Sequence, residues 1–372
     1  MDFSVAVIGA GVLGLACAKV LAERGLSVVV IERHRKNGQE TSSRNSGVIH
    51  AGMYYPAGSL KAKLCFRANQ MLYQYLESRK VPHRKIGKYI VATSNAETPQ
   101  LEAIYQKGCD NGVEGLRFAN KAELKQQEPY INAVAALYSP HTGIVDVHSY
   151  MDALEYDATE AGVTFAYSHT LQQIERVPRG YRLMADCMGA SQVILVEGVI
   201  NAAGLQADVI ASLAGIDTDT ANYKLHYCKG HYFSVAASKA KLVSHLIYPV
   251  PPENMAGLGV HITLDLMGRM RLGPDTLYLQ KRQLDYTVPE NLRTKFYKAA
   301  HWYFPALHED DLAPDMAGIR PKLQGPGEAY RDFVIAEESN RNLPGFINLI
   351  GIESPGLTCA LAIAHEVAQF LK

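Results

Sequence analysis

The sequence lacks an excess of charge of either sign. Its 37 basic residues stand against 37 acidic ones, and no long basic run occurs. That balance gives no electrostatic reason to expect nucleic acid as a partner, so a small anion bound here needs a local basic cluster inside a cleft. Paired cysteine motifs are missing too. Cys17, Cys65, Cys109, Cys187, Cys228 and Cys359 form no C-x-x-C pair, and a chain of 372 residues needs no disulfide staples. Reduced thiols in the cytoplasm are the expectation. No His and Cys spacing suits a metal, and none is expected. No stretch is long and charge-free enough to span a bilayer, which leaves peripheral contact with an inner membrane open. The apolar segment from Val5 to Ala22 has the length of a signal peptide. It carries three glycines at fixed spacing, follows Asp2 rather than a basic run and leads into a strand pattern, so it is read as part of the fold. Internal repeats, low-complexity tracts and a clean linker are also lacking.

What is present fits two interleaved domains rather than one core. Residues 3–9 form a short apolar run, 12–24 have helical character ending at Gly25, and 27–32 form a second apolar run. This is a βαβ unit with buried parallel strands. The polar, Gly- and Ser-rich stretch from Arg33 to Ser59 is too long for an idle loop and is read as functional. Helices are expected at 60–79, 97–111, 121–127, 148–161, 290–303 and 355–371. Strands are expected at 86–93, in a meander at 163–168, 171–176, 181–186 and 193–201, and at 315–323, 332–336 and 346–351. Alternating segments within 229–275 suggest a second, mostly antiparallel sheet.

Gly9-Ala10-Gly11-Val12-Leu13-Gly14 is a G-x-G-x-x-G motif between strand and helix. Gly9 permits the tight turn, Gly11 lets the backbone approach a diphosphate, and Gly14 allows close packing of helix on strand. The helix N-terminus, with Val12 and Leu13, offers N–H groups and a positive dipole end to phosphate. Glu32 lies 18 residues beyond Gly14 at the end of the second strand, where a carboxylate accepts bonds from ribose hydroxyls and disfavours a 2′-phosphate. Three features favour FAD over NAD. The motif opens the chain. The late strand 193–201 runs into Asn201-Ala202-Ala203-Gly204, where small residues can pass close to a nucleotide. The final helix begins at Ser354-Pro355-Gly356 after the turn Gly351-Ile352-Glu353. Its N-terminus, aimed at a flavin ring, stabilises the negative charge of the reduced form.

Longer strings carry a resemblance: Ser43-Arg44-Asn45-Ser46-Gly47-Val48-Ile49-His50-Ala51-Gly52-Met53-Tyr54-Tyr55, Ser59-Leu60-Lys61-Ala62-Lys63-Leu64-Cys65, Lys229-Gly230-His231-Tyr232-Phe233, Tyr248-Pro249-Val250-Pro251, Gly257-Leu258-Gly259-Val260-His261, Gly318-Ile319-Arg320-Pro321-Lys322, and Gly351-Ile352-Glu353-Ser354-Pro355-Gly356-Leu357-Thr358. On these strings the chain resembles the FAD-dependent D-amino-acid-oxidase-like superfamily. Within that superfamily it looks most like the L-2-hydroxyglutarate dehydrogenase (oxidase) family, almost end to end. It departs at His231 and Cys359, is shorter than expected, and shows no organelle-targeting extension.

The resemblance implies an α/β fold. A Rossmann-like FAD-binding domain (1–80, 145–215 and 315–372) is interleaved with a mixed, mostly antiparallel substrate domain (81–144 and 216–314). It implies flavin contacts from Arg33, Ser42, Ser43, Asn45, Ser46, His50, Ala203, Gly204 and Arg320, and from Gly351 and Glu353 to Thr358. It further implies oxidation of a small 2-hydroxy acid, with L-2-hydroxyglutarate favoured. An amino-acid oxidase or dehydrogenase acting on glycine, sarcosine or a D-amino acid is the alternative, and a flavin-bound structural subunit a third reading. Hydride leaves the substrate α-carbon for flavin N5 while a base takes the hydroxyl proton. His50 is the first candidate base and His261 the second, since an imidazole titrates near working pH. For His50 a flavin contact without proton transfer and a covalent histidyl–flavin link stay open. Arg320 is the candidate for gripping the substrate carboxylate through two bonds, with Lys322 on the same face. Tyr54, Tyr55 and Tyr248 are candidates to close over the site. Lys61 and Lys63 are expected in solvent, with contact to a second substrate carboxylate the alternative. Oxygen, a quinone and a carrier flavoprotein all remain possible electron acceptors.

Overall fold

Apolar runs in Phe3–Ile8, Val28–Glu32, Leu343–Ile350 and the second half of Ala190–Asn201 set the first sheet. A computed structural model describes residues 1–251 and 259–371; Gly257 and Leu258 of the fifth string lie outside them. Strand Phe3–Ile8 lies between Val28–Glu32 and the long strand Ala190–Asn201, parallel to both. Thr164–Tyr167 extends the sheet beside Val28–Glu32, and Leu343–Ile350 beside Ala190–Asn201, again in parallel. The meander His169–Val177, Gly180–Cys187 and Ala190–Asn201 joins antiparallel. With Val334–Glu338 the described strands make eight. Continuous rather than alternating burial in Val28–Glu32 follows from coverage on both faces. Helices Val12–Glu23, Leu60–Ser78, Val147–Glu160 and Gly356–Phe370 cover one face and share one apolar core. The first and last helices pack against each other, so the chain's two ends close one domain.

The second sheet has nine strands among the described residues, centred on His226–Val235. Its strands pair antiparallel, except that Leu246–Pro249 runs parallel to Lys88–Ala92. Helix Arg293–His301 closes its outer face through Phe296 and Ala300. Strand Leu312–Lys322 pairs with His226–Val235 over most of its length. Residues 315–322 therefore belong to this sheet, whereas the sequence placed them with the nucleotide-binding part. The strand's apolar alternation was legible, but its partner depends on a contact some 90 positions away in the chain. Strands Arg117–Asn120, Ala135–Ser139 and Gly143–Val145 also escaped the sequence reading. Each is short, and short runs lack a period long enough to identify. The Arg33–Ser59 stretch is mostly irregular, as expected, with a two-residue strand at Val48–Ile49.

Among the described residues, no helix is long and apolar enough to cross a membrane. All six cysteines are free, and Cys17, Cys65, Cys228 and Cys359 are buried.

Candidate active site

A cavity of about 880 Å3 runs between the two sheets. One end is the glycine turn. Gly9 has φ +102°, and a Cβ there would stand 2.8 Å from the Ala202 carbonyl oxygen. A Cβ on Gly11 would meet the Ser42 hydroxyl at 2.9 Å. The absence of side chains leaves the first turn of helix Val12–Glu23 open toward the cavity, and Gly11 at its N-cap has no side chain to cap it. Its dipole end thus faces the space where a diphosphate fits. The Ser42 hydroxyl accepts from Val12 N at 3.0 Å. The Glu32 carboxylate accepts from Ala10 N and His34 N, which fixes it at the strand end, and it lines the cavity. This pattern of glycine cradle, bare helix terminus and fixed carboxylate fits a dinucleotide.

Val12, Leu13, Arg33, Asn45, Ser46, Ala203, Gly204, Pro355, Gly356 and Leu357 also line the cavity. Four expected contacts lie outside its wall. Gly14 faces the sheet, Ser43 donates to the Glu40 carbonyl, and Gly351 turns against Leu323. The Thr358 hydroxyl accepts from His50 N at 3.0 Å and lies near the Val48 carbonyl. These residues shape the wall from behind.

The other end of the cavity gathers His50, His261, Arg320, Tyr54, Tyr248, Ser354 and Glu353. His50 is anchored through its backbone, since Asn69 Nδ2 donates to its carbonyl at 2.9 Å. Its Nε2 lies 3.3 Å from the Ser354 hydroxyl, at the start of the last helix. His261 has Nδ1 3.0 Å from the Gly259 carbonyl. A carbonyl only accepts, so Nδ1 carries the proton and Nε2 keeps its lone pair. Tyr248 stacks on that ring at 3.8 Å between centroids. Burial first, then Lys88, lowers the pKa of His50 to about 3. For His261 burial again dominates, and Lys88 and Arg320 add to it, giving about 3. Both imidazoles are neutral at working pH with a lone pair free to accept a hydrogen bond, and the same burial makes each a weaker base than a free imidazole.

Arg320 projects from strand Leu312–Lys322, with Nη2 donating to the Asp275 carbonyl at 2.8 Å and Nε toward the Cys228 carbonyl at 3.3 Å. Backbone acceptors hold the guanidinium without neutralising it, so its charge stays available to a carboxylate. Glu353 is shared between Lys61 at 3.1 Å and Lys322 at 3.0 Å. Burial opposes ionisation of Glu353, but Lys61, Lys322 and Arg320 outweigh it and hold its carboxyl at about 2. Lys61, expected in solvent, is 5% exposed and lines the cavity; the reason is its ion pair with a residue 292 positions away. Lys63 is exposed, as expected. His231 lies in the core with Nδ1 2.9 Å from Asp275.

The sequence reading missed two contributors. Tyr232 lines the cavity and shares a hydrogen bond with the Ser46 hydroxyl at 3.0 Å. Lys88 is 1% exposed beneath the site. A charged residue interrupting the apolar strand IGKYIVAT was the signal that could have found it.

A dinucleotide cradle running into a chamber with a free guanidinium and neutral imidazoles defines a flavin-dependent oxidoreductase. The model of the family DAO, FAD dependent oxidoreductase, matches residues 4–370, and the chain belongs to that family. FAD is its cofactor. Over 403 residues it is 40% identical to the mitochondrial L-2-hydroxyglutarate dehydrogenase of Arabidopsis thaliana, covering 98% of this chain and 83% of the relative. It is 35% identical to the enzyme of that name from Pongo abelii, covering 99% and 87%. Among solved structures, the dithionite-reduced, FAD-bound L-alpha-glycerophosphate oxidase of Mycoplasma pneumoniae superposes with a TM-score of 0.88 at 28% identity, over 99% of this chain and 94% of that one.

Proposed function

We propose that this enzyme oxidises a small 2-hydroxy acid to the 2-oxo acid, with L-2-hydroxyglutarate the favoured substrate. The observation that carries the reading is the convergence, in one cavity, of a backbone-tethered arginine and two uncharged histidines. The names of the relatives supply the substrate. FAD, when bound, supplies the acceptor for the hydride. Gly9, Gly11, Val12, Leu13 and Glu32 hold the nucleotide end, with Arg33, Ser42, Asn45, Ser46, Ala203 and Gly204 along the wall. The last helix, entered at Ser354, Pro355 and Gly356, would offer its positive end to the flavin and so favour the negative charge of the reduced form.

Arg320 grips the carboxylate next to the reacting carbon. Its two-pronged fork fixes the orientation of the hydroxyl-bearing carbon, which is where positioning lowers a barrier most. His50 takes the hydroxyl proton. It is half-buried and opens on the cavity beside the start of the last helix, whereas His261 is nearly sealed beneath Tyr248. Tyr54 and Tyr248 close the chamber and exclude water. The free cysteines suit a reducing cytoplasm. Oxygen, a quinone or a carrier flavoprotein each completes the cycle, a quinone through peripheral membrane contact.

The test is anaerobic mixing of the yellow holoenzyme with L- and D-hydroxy acids and amino acids. Bleaching by L-2-hydroxyglutarate is the expected result. Bleaching by glycine, sarcosine or a D-amino acid instead of any hydroxy acid overturns the reading.

A further inference from the structure

Lys88 opens strand Lys88–Ala92 and sits at the junction of the second sheet, in register with Leu246 on one side and Ser139 on the other. Its side chain is 1% exposed. The ammonium lies 4.6 Å from the ring centroid of Tyr54 and 4.6 Å from that of Tyr248. Among the described residues, no carboxylate reaches it within 4 Å and no acceptor lies in hydrogen-bonding range. The carboxylates Glu353 and Asp275 are already paired, Glu353 with Lys61 and Lys322, Asp275 with His231 and Lys295. Beside the ammonium, the Tyr54 hydroxyl is buried and has no partner. Tyr54 and Tyr248 both line the active-site cavity.

A buried cation without an anion is costly, and two aromatic faces return only part of that cost. A buried hydroxyl without a partner adds to it. Both deficits border the chamber that also holds Arg320, and both are met by one group: a second carboxylate carried by the substrate. The burial of Lys88 lowers its pKa to about 7, as expected for an ammonium waiting for a counter-charge.

We propose that Lys88, held between Tyr54 and Tyr248, is the residue that makes this site select a dicarboxylic substrate, drawing the distal carboxylate toward the Tyr54 hydroxyl. This rests on the 2-hydroxy-acid reading above and goes beyond it by dividing recognition: Arg320 takes the carboxylate beside the reacting carbon, and the Lys88 region takes the far one. Lys88 stands behind the cavity wall, so it acts as a positioning and specificity residue rather than a catalytic one.

The test compares L-2-hydroxyglutarate with L-2-hydroxypentanoate, which replaces the distal carboxylate with a methyl group on the same five-carbon chain. Wild-type holoenzyme is expected to favour the dicarboxylate by at least about 10²-fold in kcat/KM. Lys88→Met is expected to lower the dicarboxylate-over-monocarboxylate preference in kcat/KM by about 10²-fold, through KM for the dicarboxylate, while any change in kcat from the altered field at His50 falls on both acids alike. Lys88→Arg, which keeps the charge, is expected to recover much of the loss. Tyr54→Phe keeps the ring over the ammonium and removes the hydroxyl, and is expected to cut the preference about tenfold; it decides the matter if Lys88→Met does not fold. A wild-type enzyme that oxidises both acids equally overturns this proposal and leaves the reaction class standing. Equal losses on both acids in Lys88→Met, with no rescue by arginine, also overturn it, assigning Lys88 a packing role. An enzyme that oxidises neither acid refutes the 2-hydroxy-acid reading and this proposal together.

Discussion

At the scale of single residues, charge and burial decide most of the chemistry. Arg320 is held by carbonyls that cannot neutralise it. Arg320→Lys keeps the charge and loses the fork, so kcat/KM for a 2-hydroxy acid is expected to fall about 10²-fold, mostly through KM. His50→Asn is expected to lower kcat by about 10²- to 10⁴-fold. His261→Asn should cost far less, and steady-state rates of the two variants separate the roles. The histidines also set an acid limit on stability. Between about 3 and 6.5 the unfolded chain binds protons on these side chains that the folded protein refuses. Stability contributed by keeping them neutral is therefore full above 6.5 and is lost as pH falls toward 3. Glu353 adds to this lower down: its ion pairs contribute fully above its ordinary value of 4.5 and fade as pH falls through about 2. Thermal melts from pH 7 to pH 4 should show Tm falling steadily, and His261→Asn should flatten that fall.

At the scale of elements, close approach matters more than any single bond. Helix Val12–Glu23 lies so near strand Phe3–Ile8 that a Cβ on Gly14 would stand 1.9 Å from the Gly9 carbonyl oxygen. Backbone cannot yield that far without moving the glycine turn. Gly14→Ala is expected to lower stability by about 1–3 kcal/mol or more and to leave purified protein poor in FAD, read from its visible spectrum and its Tm. The turn before the last helix works through charge instead. Glu353→Gln leaves Lys61 and Lys322 buried without a counter-ion, and a loss of about 3–5 kcal/mol is expected in denaturant melts. The sequence located both elements. It could not supply the pairing of Glu353 with Lys61, because the two residues lie 292 positions apart and only the tertiary fold brings them together.

At the scale of the whole molecule, the two sheets meet around one cavity, and each provides half of the chemistry. The first carries the glycine turn and Glu32, and the second brings Arg320, Tyr248 and His261. FAD touching both halves should stabilise the entire chain, by about 2.7 kcal/mol at a hundredfold excess over Kd. Stripping it should lower Tm and broaden the transition, and added FAD should reverse both changes.

The glycine turn, the parallel strands, the helix caps and the family strings are local patterns, so the sequence by itself determined the nucleotide-binding end, the reaction class and nearly every long element. Lys88 and Lys61 read locally as a strand charge and a solvated helix charge. Their burial, the neutrality of His50 and His261, and the assignment of residues 315–322 to the second sheet were decided by tertiary structure alone. The physical reason is that desolvation and ion pairing depend on what surrounds a group in space, and those surroundings come from segments far apart in the chain.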